Sequence, residues 1–386
     1  MRALMFASVA SMVDLFNRDN IAGLEKLGYK VDVAANFTEG SVYSKEQAEN
    51  FRKELEDSGH EVINVPVPRN ITDIKGMFYT IRILRKHMAA KRYDIVHCQS
   101  PIGGVLCRLA AAPFRKNGTK VIYYAHGFHF FKGADLVNWL VYYNAEKFCA
   151  YFTDCLITLN TEDYKRAKKR FKTEVEYIRG VGLDLEEIYS VPVERADVRE
   201  EFSIYQDKKI IVSVCELSHR KNVEVAIRAF AKADRDDAVL LLCGIGEQMD
   251  MLKELAKSLG IEDKVIFAGF RNDVNRILKA SDMFIFPSRQ EGLPVALMQA
   301  MACGLPVMCS RIRGNTDLIE PKKQGFMCRP ENVSGFAKGI NILLDNPRLR
   351  HRMGLRNEHV IKLYDKKAVN ERMIEIYKKV RGMDNE

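Results

Sequence analysis

The sequence of 386 residues has no apolar run that approaches the roughly 20 residues needed for a membrane-spanning helix. It also has no low-complexity tract, and it has a single tryptophan, Trp139. Hydrophobic residues make up 47% of the chain and charged residues 29%, which is typical of a folded globular protein and argues against disorder. The length is sufficient for two or three domains.

A zinc site and a disulfide framework are both unexpected. The nine cysteines are scattered and include no Cys-x-x-Cys pair. Most lie within apolar runs and their number is odd, which indicates reduced core thiols and a cytoplasmic location. One Asp-x-Asp motif, Asp234-Arg-Asp236, precedes a predicted strand and therefore lies at the wrong end of a sheet for a ligand site. We expect neither a metal nor an organic cofactor.

The first ten residues, Met1 to Ala10, carry one charge followed by apolar side chains. This pattern is similar to the start of a secretory signal. However, Asp14 and Arg18 follow almost at once, and the apolar run is too short for a span. We therefore interpret the segment as the buried first strand of a parallel sheet.

Apolar strands and amphipathic helices alternate along the chain, which favours parallel sheets built from βαβ units. Strands are predicted at 2–7, 30–34, 62–65, 94–98, 121–125 and 155–159, and again at 210–214, 239–243, 265–268, 283–286 and 307–310. Helices between the first set are predicted at 15–28, 45–58, 74–91, 102–112 and 135–152. Residues 180–184 and the charged stretch 194–201 are typical of a linker. We expect an α/β fold of two doubly wound halves, with a ligand cleft at the carboxyl ends of both sheets.

The segment from Ser288 to Val307 carries the strongest functional signal. An apolar strand precedes it, a loop with the sequence Glu291-Gly-Leu-Pro294 follows, and a helix then runs to Gly304. Backbone N–H groups at a helix start attract phosphate, and a carboxylate accepts hydrogen bonds from sugar hydroxyls. The order of residues closely resembles the donor-sugar site of retaining glycosyltransferases of family 4. These enzymes have the GT-B architecture, with two Rossmann-like domains facing across a cleft.

This resemblance implies a sugar-nucleotide site in the second half of the chain. Glu291 would contact hydroxyls of the donor sugar, and Gly292, Leu293 and Pro294 would form the adjoining loop and helix start. Gln299 occupies the position where the family has a second carboxylate, which binds the ribose. The amide keeps one acceptor oxygen but loses the charge, so we expect nucleotide binding weaker by on the order of 1 kcal/mol.

The family also places an arginine and a lysine after the first strand of this half, where both contact the diphosphate. Lys221 fits the lysine, whereas Glu216 stands where the arginine is expected. Arg220 is the candidate replacement for that arginine. Arg220 and Lys221 follow a strand end and face the predicted phosphate site. A diphosphate contact is therefore better supported for them than it would be for a basic pair elsewhere in the chain.

Other binding candidates follow the next two strands. Gly244 and Gly246 either let the backbone approach a ligand or make the turn into a helix, and the sequence leaves both alternatives open. Phe270 and Arg271 resemble the segment that meets the nucleobase edge.

In the first half, His126 follows an apolar strand and matches a family histidine that reaches the donor sugar or the reaction centre. The alternative is a structural histidine that holds its loop. Ser8 belongs to a run of small residues in place of the family's glycine-rich first loop, and Asn160 is a further polar residue at a strand end.

The resemblance implies a metal-independent enzyme that transfers a sugar, with retention, from a nucleotide diphosphate sugar, expected to be UDP-linked. The acceptor would be a saccharide or a lipid-linked saccharide in capsule or exopolysaccharide synthesis, and nucleic acid is not expected as a partner. His126, Lys221 and Glu291 are the predicted catalytic residues. Two alternatives remain: a nucleotide-sugar epimerase of the same architecture, and a non-catalytic sugar-nucleotide-binding subunit, which Gln299 and Glu216 motivate.

The predicted domains are an acceptor domain at 1–183, a donor domain at 184–365 and a C-terminal helix at 366–386. That helix is amphipathic, and in the family it packs back on the N-terminal domain.

The net charge of +9 is unevenly distributed. Between Ile74 and Arg92 the predicted amphipathic helix has no acidic residue and carries six basic ones: Lys75, Arg82, Arg85, Lys86, Lys91 and Arg92. Basic amphipathic helices often contact anionic membranes. A cytoplasmic protein in peripheral contact with the inner membrane surface is therefore one hypothesis, and a solvated surface helix is the alternative.

Overall fold

The computed structural model describes residues 1–39, 43–70, 72–192 and 194–383. The chain divides into two compact units, Met1–Val181 with Lys367–Glu386, and Gly182–Lys366. Each unit contains one parallel sheet with helices between successive strands. Residues 384–386 of the predicted C-terminal helix lie outside the described residues.

The first unit contains a sheet of seven parallel strands: β1 (Arg2–Val9), β2 (Lys30–Asn36), β3 (Val62–Asn64), β4 (Ile95–Gln99), β5 (Lys120–Ala125), β6 (Cys155–Thr158) and β7 (Glu174–Tyr177). Their order across the sheet is β3-β2-β1-β4-β5-β6-β7. The order reverses between β1 and β4, and the carboxyl ends of such a pair border the ligand crevice in doubly wound sheets. Central strands are apolar on both faces because helices cover both sides.

The helices of the first unit are α1 (Ala10–Lys26), α2 (Lys45–Asp57), α3 (Ile74–Lys91), α4 (Pro101–Ala111), α5 (Leu136–Asn138), α6 (Asn144–Cys149) and α7 (Thr161–Arg170). A π-helical turn, Trp139–Tyr143, joins α5 to α6, and 3₁₀ turns follow α4 and α6 at Ala112–Asn117 and Ala150–Phe152. The helix predicted at 135–152 is therefore a series of short helical pieces. Turns of the π type are frequently found at functional sites.

The second unit contains six parallel strands: β8 (Lys209–Val214), β9 (Ala238–Cys243), β10 (Val265–Gly269), β11 (Met283–Phe286), β12 (Val307–Ser310) and β13 (Gly325–Cys328). Their order is β10-β9-β8-β11-β12-β13, which reverses between β8 and β11. The helices are α8 (Leu185–Ser190), α9 (Arg195–Glu201), α10 (Val223–Ala233), α11 (Met249–Ser258), α12 (Val274–Ala280), α13 (Val295–Ala302), α14 (Asn315–Leu318), α15 (Val333–Asp345) and α16 (Pro347–Ile361). A 3₁₀ turn, Lys362–Tyr364, follows α16.

The stretch 194–201, predicted as part of a linker, instead forms α9 in the second unit. Val198 is fully buried there and Arg199 is 5% exposed. The Arg199 guanidinium donates to the carbonyl oxygens of Tyr205 and Lys208 at 2.9 and 2.8 Å. The segment is charged overall but has one buried face, so its composition alone incorrectly predicted a linker.

The last helix, α17 (Lys366–Arg381), packs on the first unit. Its Tyr377 is fully buried, and the hydroxyl lies 2.7 Å from Nδ1 of His97 on β4. Lys379 forms ion pairs with Glu174 and Glu176 of β7, at 2.6 and 2.7 Å. The helix thus contacts both the central strand β4 and the edge strand β7.

The α/β class with two doubly wound, Rossmann-like units is confirmed. Among the described residues, no helix combines the length and the apolar content that a membrane crossing needs. The nine cysteines all lie in the described ranges and are free thiols.

Candidate functional site

The predicted donor residues of the second unit converge at the carboxyl ends of β8 and β11. Lys221 lies in the loop after β8, and its Nζ donates to Oε1 of Glu291, in the loop after β11, at 2.7 Å. Arg220 Nη1 lies 3.5 Å from the other carboxylate oxygen. Glu291 is 6% exposed and Lys221 14%, whereas Arg220 is 45% exposed. The buried carboxylate is therefore bracketed by two cations, of which Arg220 is the more accessible to a ligand.

The loop that carries Glu291 is fixed from the neighbouring strand end. Arg313, which follows β12 and is 7% exposed, donates from Nε to the carbonyl oxygen of Glu291 at 3.0 Å. The next residue, Gly314, has a φ of +79°, and a Cβ there would collide with the carbonyl oxygen of Gly292. Only glycine adopts this conformation readily and leaves room for so close an approach. Leu293 is buried, and Pro294 precedes the first turn of α13.

Arg313 is a residue of this site that the sequence reasoning missed. Its buried guanidinium serves a backbone carbonyl in another loop, and no local pattern indicates such a contact. A weak signal was present, since an arginine next to a glycine follows a strand end beside the predicted site.

Gln299 lies on α13, half-buried, and its amide donates from Nε2 to Oδ1 of Asn275 on α12 at 3.2 Å. The pairing uses the donor end of the amide and leaves Oε1 as the end that can accept a hydrogen bond from a ligand. Glu216, in the loop after β8, is 62% exposed, and its carboxylate lies 3.9 Å from Arg220.

Gly244 and Gly246 have a structural reason to be glycine. A Cβ on Gly244, which has a φ of +148°, would collide with the carbonyl oxygen of Cys215, and one on Gly246 would collide with that of Leu217. The Leu217 N–H also donates to Ile245 O at 2.9 Å. The loops after β8 and β9 therefore pack backbone to backbone, and a ligand contact by either glycine stays a prediction.

Phe270 and Arg271 follow β10 but differ in environment. Phe270 is 73% exposed, which leaves its ring available to a base. Arg271 forms ion pairs at 2.8 Å with Glu201 and 2.7 Å with Asp273. These carboxylates occupy the guanidinium, so a base contact by Arg271 would compete with two ion pairs.

In the first unit, His126 follows β5 and its Nε2 lies 2.6 Å from Oε1 of Gln99, the last residue of β4. A carboxamide oxygen only accepts, so Nε2 carries the proton and Nδ1 is the acceptor of a neutral ring. In the described part of the chain Nδ1 has no hydrogen-bond partner. The ring lies between Phe16 and Tyr124, with centroid distances of 5.3 and 5.1 Å. Gln99 was not predicted as a site residue, because in the sequence it is simply the last residue of a buried strand.

Ser8 lies at the end of β1, and its hydroxyl is 2.5 Å from that of Ser100, which precedes α4. Ser100 has φ 68° and ψ 151°, a conformation rarely adopted by residues other than glycine and often found at functional sites. A Cβ on Gly103 would collide with the Ser8 hydroxyl, so the close approach depends on that glycine.

Asn160 is fully buried and caps α7. Its Oδ1 accepts from the Asp163 N–H at 2.8 Å, and its Nδ2 donates to the Asp163 carboxylate at 2.9 Å. Both ends of the side chain are thus used locally, and a ligand contact by Asn160 stays a prediction.

We expect His126 to remain neutral well below pH 6. Burial lowers its pKa to about 4, and burial followed by the charge of His126 lowers the pKa of His97 to about 3. An unfolded histidine titrates near 6.5, so the unfolded chain binds more protons below that pH. The stability contributed by the neutral rings is therefore present above pH 6.5 and is lost as the pH falls towards 4. Ring-proton NMR should show a His126 midpoint near 4, and a midpoint near 6.5 would contradict the burial.

Two family models together match most of the chain. Residues 17–179 match the family model Glycosyltransferase Family 4, and residues 194–360 match Glycosyl transferases group 1. The putative glycosyltransferase EpsD of Bacillus subtilis (strain 168) is 33% identical over 388 residues, which cover 99% of this chain and 98% of EpsD. The UDP-Gal:alpha-D-GlcNAc-diphosphoundecaprenol alpha-1,3-galactosyltransferase of Escherichia coli is 31% identical over 301 residues, 76% of each chain.

Solved structures share the fold at low sequence identity. HepE of Anabaena, in complex with UDP-glucose, superimposes with a TM-score of 0.78 at 18% identity, over 98% of this chain and 100% of HepE. Because both family models match and EpsD is similar over nearly its whole length, the chain belongs to the GT-B glycosyltransferases, with a family 4 domain followed by a group 1 domain.

Proposed function

We propose that this glycosyltransferase moves a hexosyl or N-acetylhexosaminyl group from a UDP-linked sugar to a lipid-linked saccharide, with retention of configuration. The observation that carries the proposal is the buried Lys221–Glu291 pair at the carboxyl ends of β8 and β11. The names of two similar proteins support the substrates: HepE was solved with UDP-glucose, and the E. coli relative is named for UDP-Gal and a diphosphoundecaprenol acceptor.

In the proposed reaction the bond between the donor C1 and the diphosphate oxygen breaks, and the oxygen keeps the electron pair. Lys221 and Arg220 stabilise the negative charge that develops there, without a metal. Fixed charges of this kind often supply the largest part of the rate gain. The acceptor hydroxyl attacks C1 on the face that the diphosphate leaves, and its proton passes to a phosphate oxygen of the leaving group.

The two remaining catalytic candidates have different roles. Glu291 accepts hydrogen bonds from donor-sugar hydroxyls, and its ion pairs with Lys221 and Arg220 hold the carboxylate in place for this purpose. His126, neutral and with Nδ1 as acceptor, accepts a hydrogen bond from a sugar hydroxyl. We place the reaction in capsule or exopolysaccharide synthesis at the inner face of the membrane, where the basic helix α3 would contact anionic lipids.

A donor panel tests the proposal. The purified protein is mixed with UDP-glucose, UDP-galactose, UDP-N-acetylglucosamine and UDP alone, and thermal stability is measured before any acceptor is added. One donor should raise the melting temperature, and that sugar should then be transferred to a diphosphoundecaprenol-linked saccharide. Binding without transfer to any acceptor would favour a non-catalytic subunit. Conversion of one UDP-sugar into its epimer without an acceptor would favour an epimerase.

Replacing Gln299 with Glu should strengthen UDP binding by up to about tenfold, because a charge-assisted bond to the ribose contributes on the order of 1 kcal/mol more than a neutral one. Asn275 would turn its amide to donate to the new carboxylate. Calorimetric titration with UDP measures the change. Gln206→Glu, at an exposed position of the same unit, adds the same charge and serves as the control. An unchanged Kd for Gln299→Glu would argue against the ribose contact.

A further inference from the structure

The first unit exposes an apolar surface that its fold does not explain. On α3, Ile74, Phe78 and Tyr79 are 62%, 70% and 57% exposed. On the helical segment 136–149, Leu136 and Leu140 are 81% and 69% exposed. Single exposed apolar side chains are ordinary, but clusters on two helical segments of one unit usually mark a binding surface.

An apolar groove lies between these elements. It has a volume of about 110 Å³, and its walls come from α3, α4 and the π-helical turn with α6, through Met77, Ile102, Val105, Val141, Tyr142 and Ala145. Glu146 also borders it, but that carboxylate is an ion-pair partner of Arg108 at 2.8 Å and accepts from the Tyr123 hydroxyl at 2.9 Å. The groove thus has an apolar lining, and the charge of its one carboxylate is compensated by Arg108.

The groove begins next to the candidate site of the same unit. Pro101 and Ile102, the first residues of α4, line it. They directly follow Ser100, which contacts Ser8, and Gln99, which contacts His126. A molecule with a polar head at Ser8 and His126 would therefore extend its apolar part into the groove.

The surrounding charge favours an anionic amphiphile. Helix α3 has no acidic residue, and in the described part of the chain its Lys75, Arg82 and Lys86 form no ion pair. These basic side chains lie on the exposed face of α3, the helix that forms one wall of the groove, and they complement a ligand that joins phosphate to a hydrocarbon chain.

We infer that this groove binds the isoprenoid chain of a phosphate-linked lipid acceptor. The inference rests on the proposed function, which requires a lipid-linked acceptor. It adds the place where the lipid is held: the chain lies between α3, α4 and the π-helical turn, and the saccharide reaches the strand ends at Ser8 and His126.

The single tryptophan provides a direct test. Trp139 opens the π-helical turn, two residues before the groove residue Val141, so its fluorescence should respond to an occupied groove. The wild-type protein is titrated with farnesyl phosphate and, separately, with inorganic phosphate. Farnesyl phosphate should give a saturable change in fluorescence, whereas inorganic phosphate should give none.

Ala145→Phe fills the groove and should weaken farnesyl phosphate binding about tenfold or more, because the chain loses apolar contact area. Ala90→Phe, on the exposed end of α3, makes the same change outside the groove and should bind as the wild type does. Equal affinity for wild type and Ala145→Phe would overturn the inference, as would an equal response to inorganic phosphate.

Two further measurements separate the remaining outcomes. Vesicles with brominated acyl chains should quench the fluorescence of Trp139 only weakly, by less than the change that saturating farnesyl phosphate causes. Strong quenching that is equal in wild type and Ala145→Phe would indicate contact with the bilayer and would overturn the groove site. UDP-induced thermal stabilisation is measured on every variant. Its retention in Ala145→Phe shows that the fold is intact, and its absence in the wild type would contradict the proposed function while leaving the lipid titration interpretable.

Discussion

Replacing Lys221 with methionine should lower kcat by about 10²–10³-fold. Lys221 is the more buried of the two cations beside Glu291, and its Nζ lies 2.7 Å from that carboxylate. Removal of one fixed group that stabilises developing charge typically has an effect of this size. Since the charge on the departing diphosphate is largest in the transition state, kcat should fall more than the KM for the donor rises.

The replacement has a second consequence that must be kept apart from catalysis. It leaves Glu291, which is 6% exposed, with Arg220 as its remaining ion-pair partner among the described residues, so the second unit should also lose stability. Steady-state kinetics are therefore measured well below the melting temperature of each variant. Lys221→Arg retains the charge and should recover part of the activity. Lys232→Met, on the exposed face of α10, should leave kcat unchanged. A kcat within about threefold of wild type in Lys221→Met would remove Lys221 from the mechanism.

The sequence predicted strands best where they are buried on both faces. The bounds predicted for β11 and β12, 283–286 and 307–310, are those observed, because each is a short apolar run in the middle of a parallel sheet. The two strands that were missed, β7 and β13, lie at sheet edges. In β7 the two glutamates bond to α17, so the segment looks polar although it completes the sheet. The four residues of β7 do not indicate that a helix from the far end of the chain will pair with them.

The candidate site likewise contains residues that the sequence predicted and residues that it missed. The resemblance to a known family selected Glu291 and Lys221, and the fold brings them together through two loops 70 residues apart in sequence. Gln99 and Arg313 were missed because each acts through a contact with another element: a histidine ring in one case and a carbonyl oxygen in the other. The collisions that require glycine at 244 and 246 are also tertiary, since they involve the backbone of the loop after β8.

A second large effect is expected in the core of the first unit, where Arg108→Met should destabilise the fold by about 3–5 kcal/mol. Arg108 is 1% exposed and Glu146 5%. The guanidinium pairs with Glu146 at 2.8 Å, donates to Gly104 O at 2.9 Å and stacks 3.8 Å from the Tyr123 ring centroid. Without it, Glu146 keeps the Tyr123 hydroxyl but remains a buried carboxylate without a counter-charge.

Urea unfolding followed by Trp139 fluorescence measures this change, because the tryptophan lies in the same unit. Arg228→Met breaks an exposed ion pair on α10, to Glu224, and should cost no more than about 1 kcal/mol. The double variant Arg108→Met/Glu146→Leu replaces both charges with apolar side chains and should recover most of the lost stability. If Arg108→Met alone cost less than about 1 kcal/mol, the ion pair would not be what holds α6 against α4. Another interaction would then have to stabilise the wall that α6 contributes to the apolar groove.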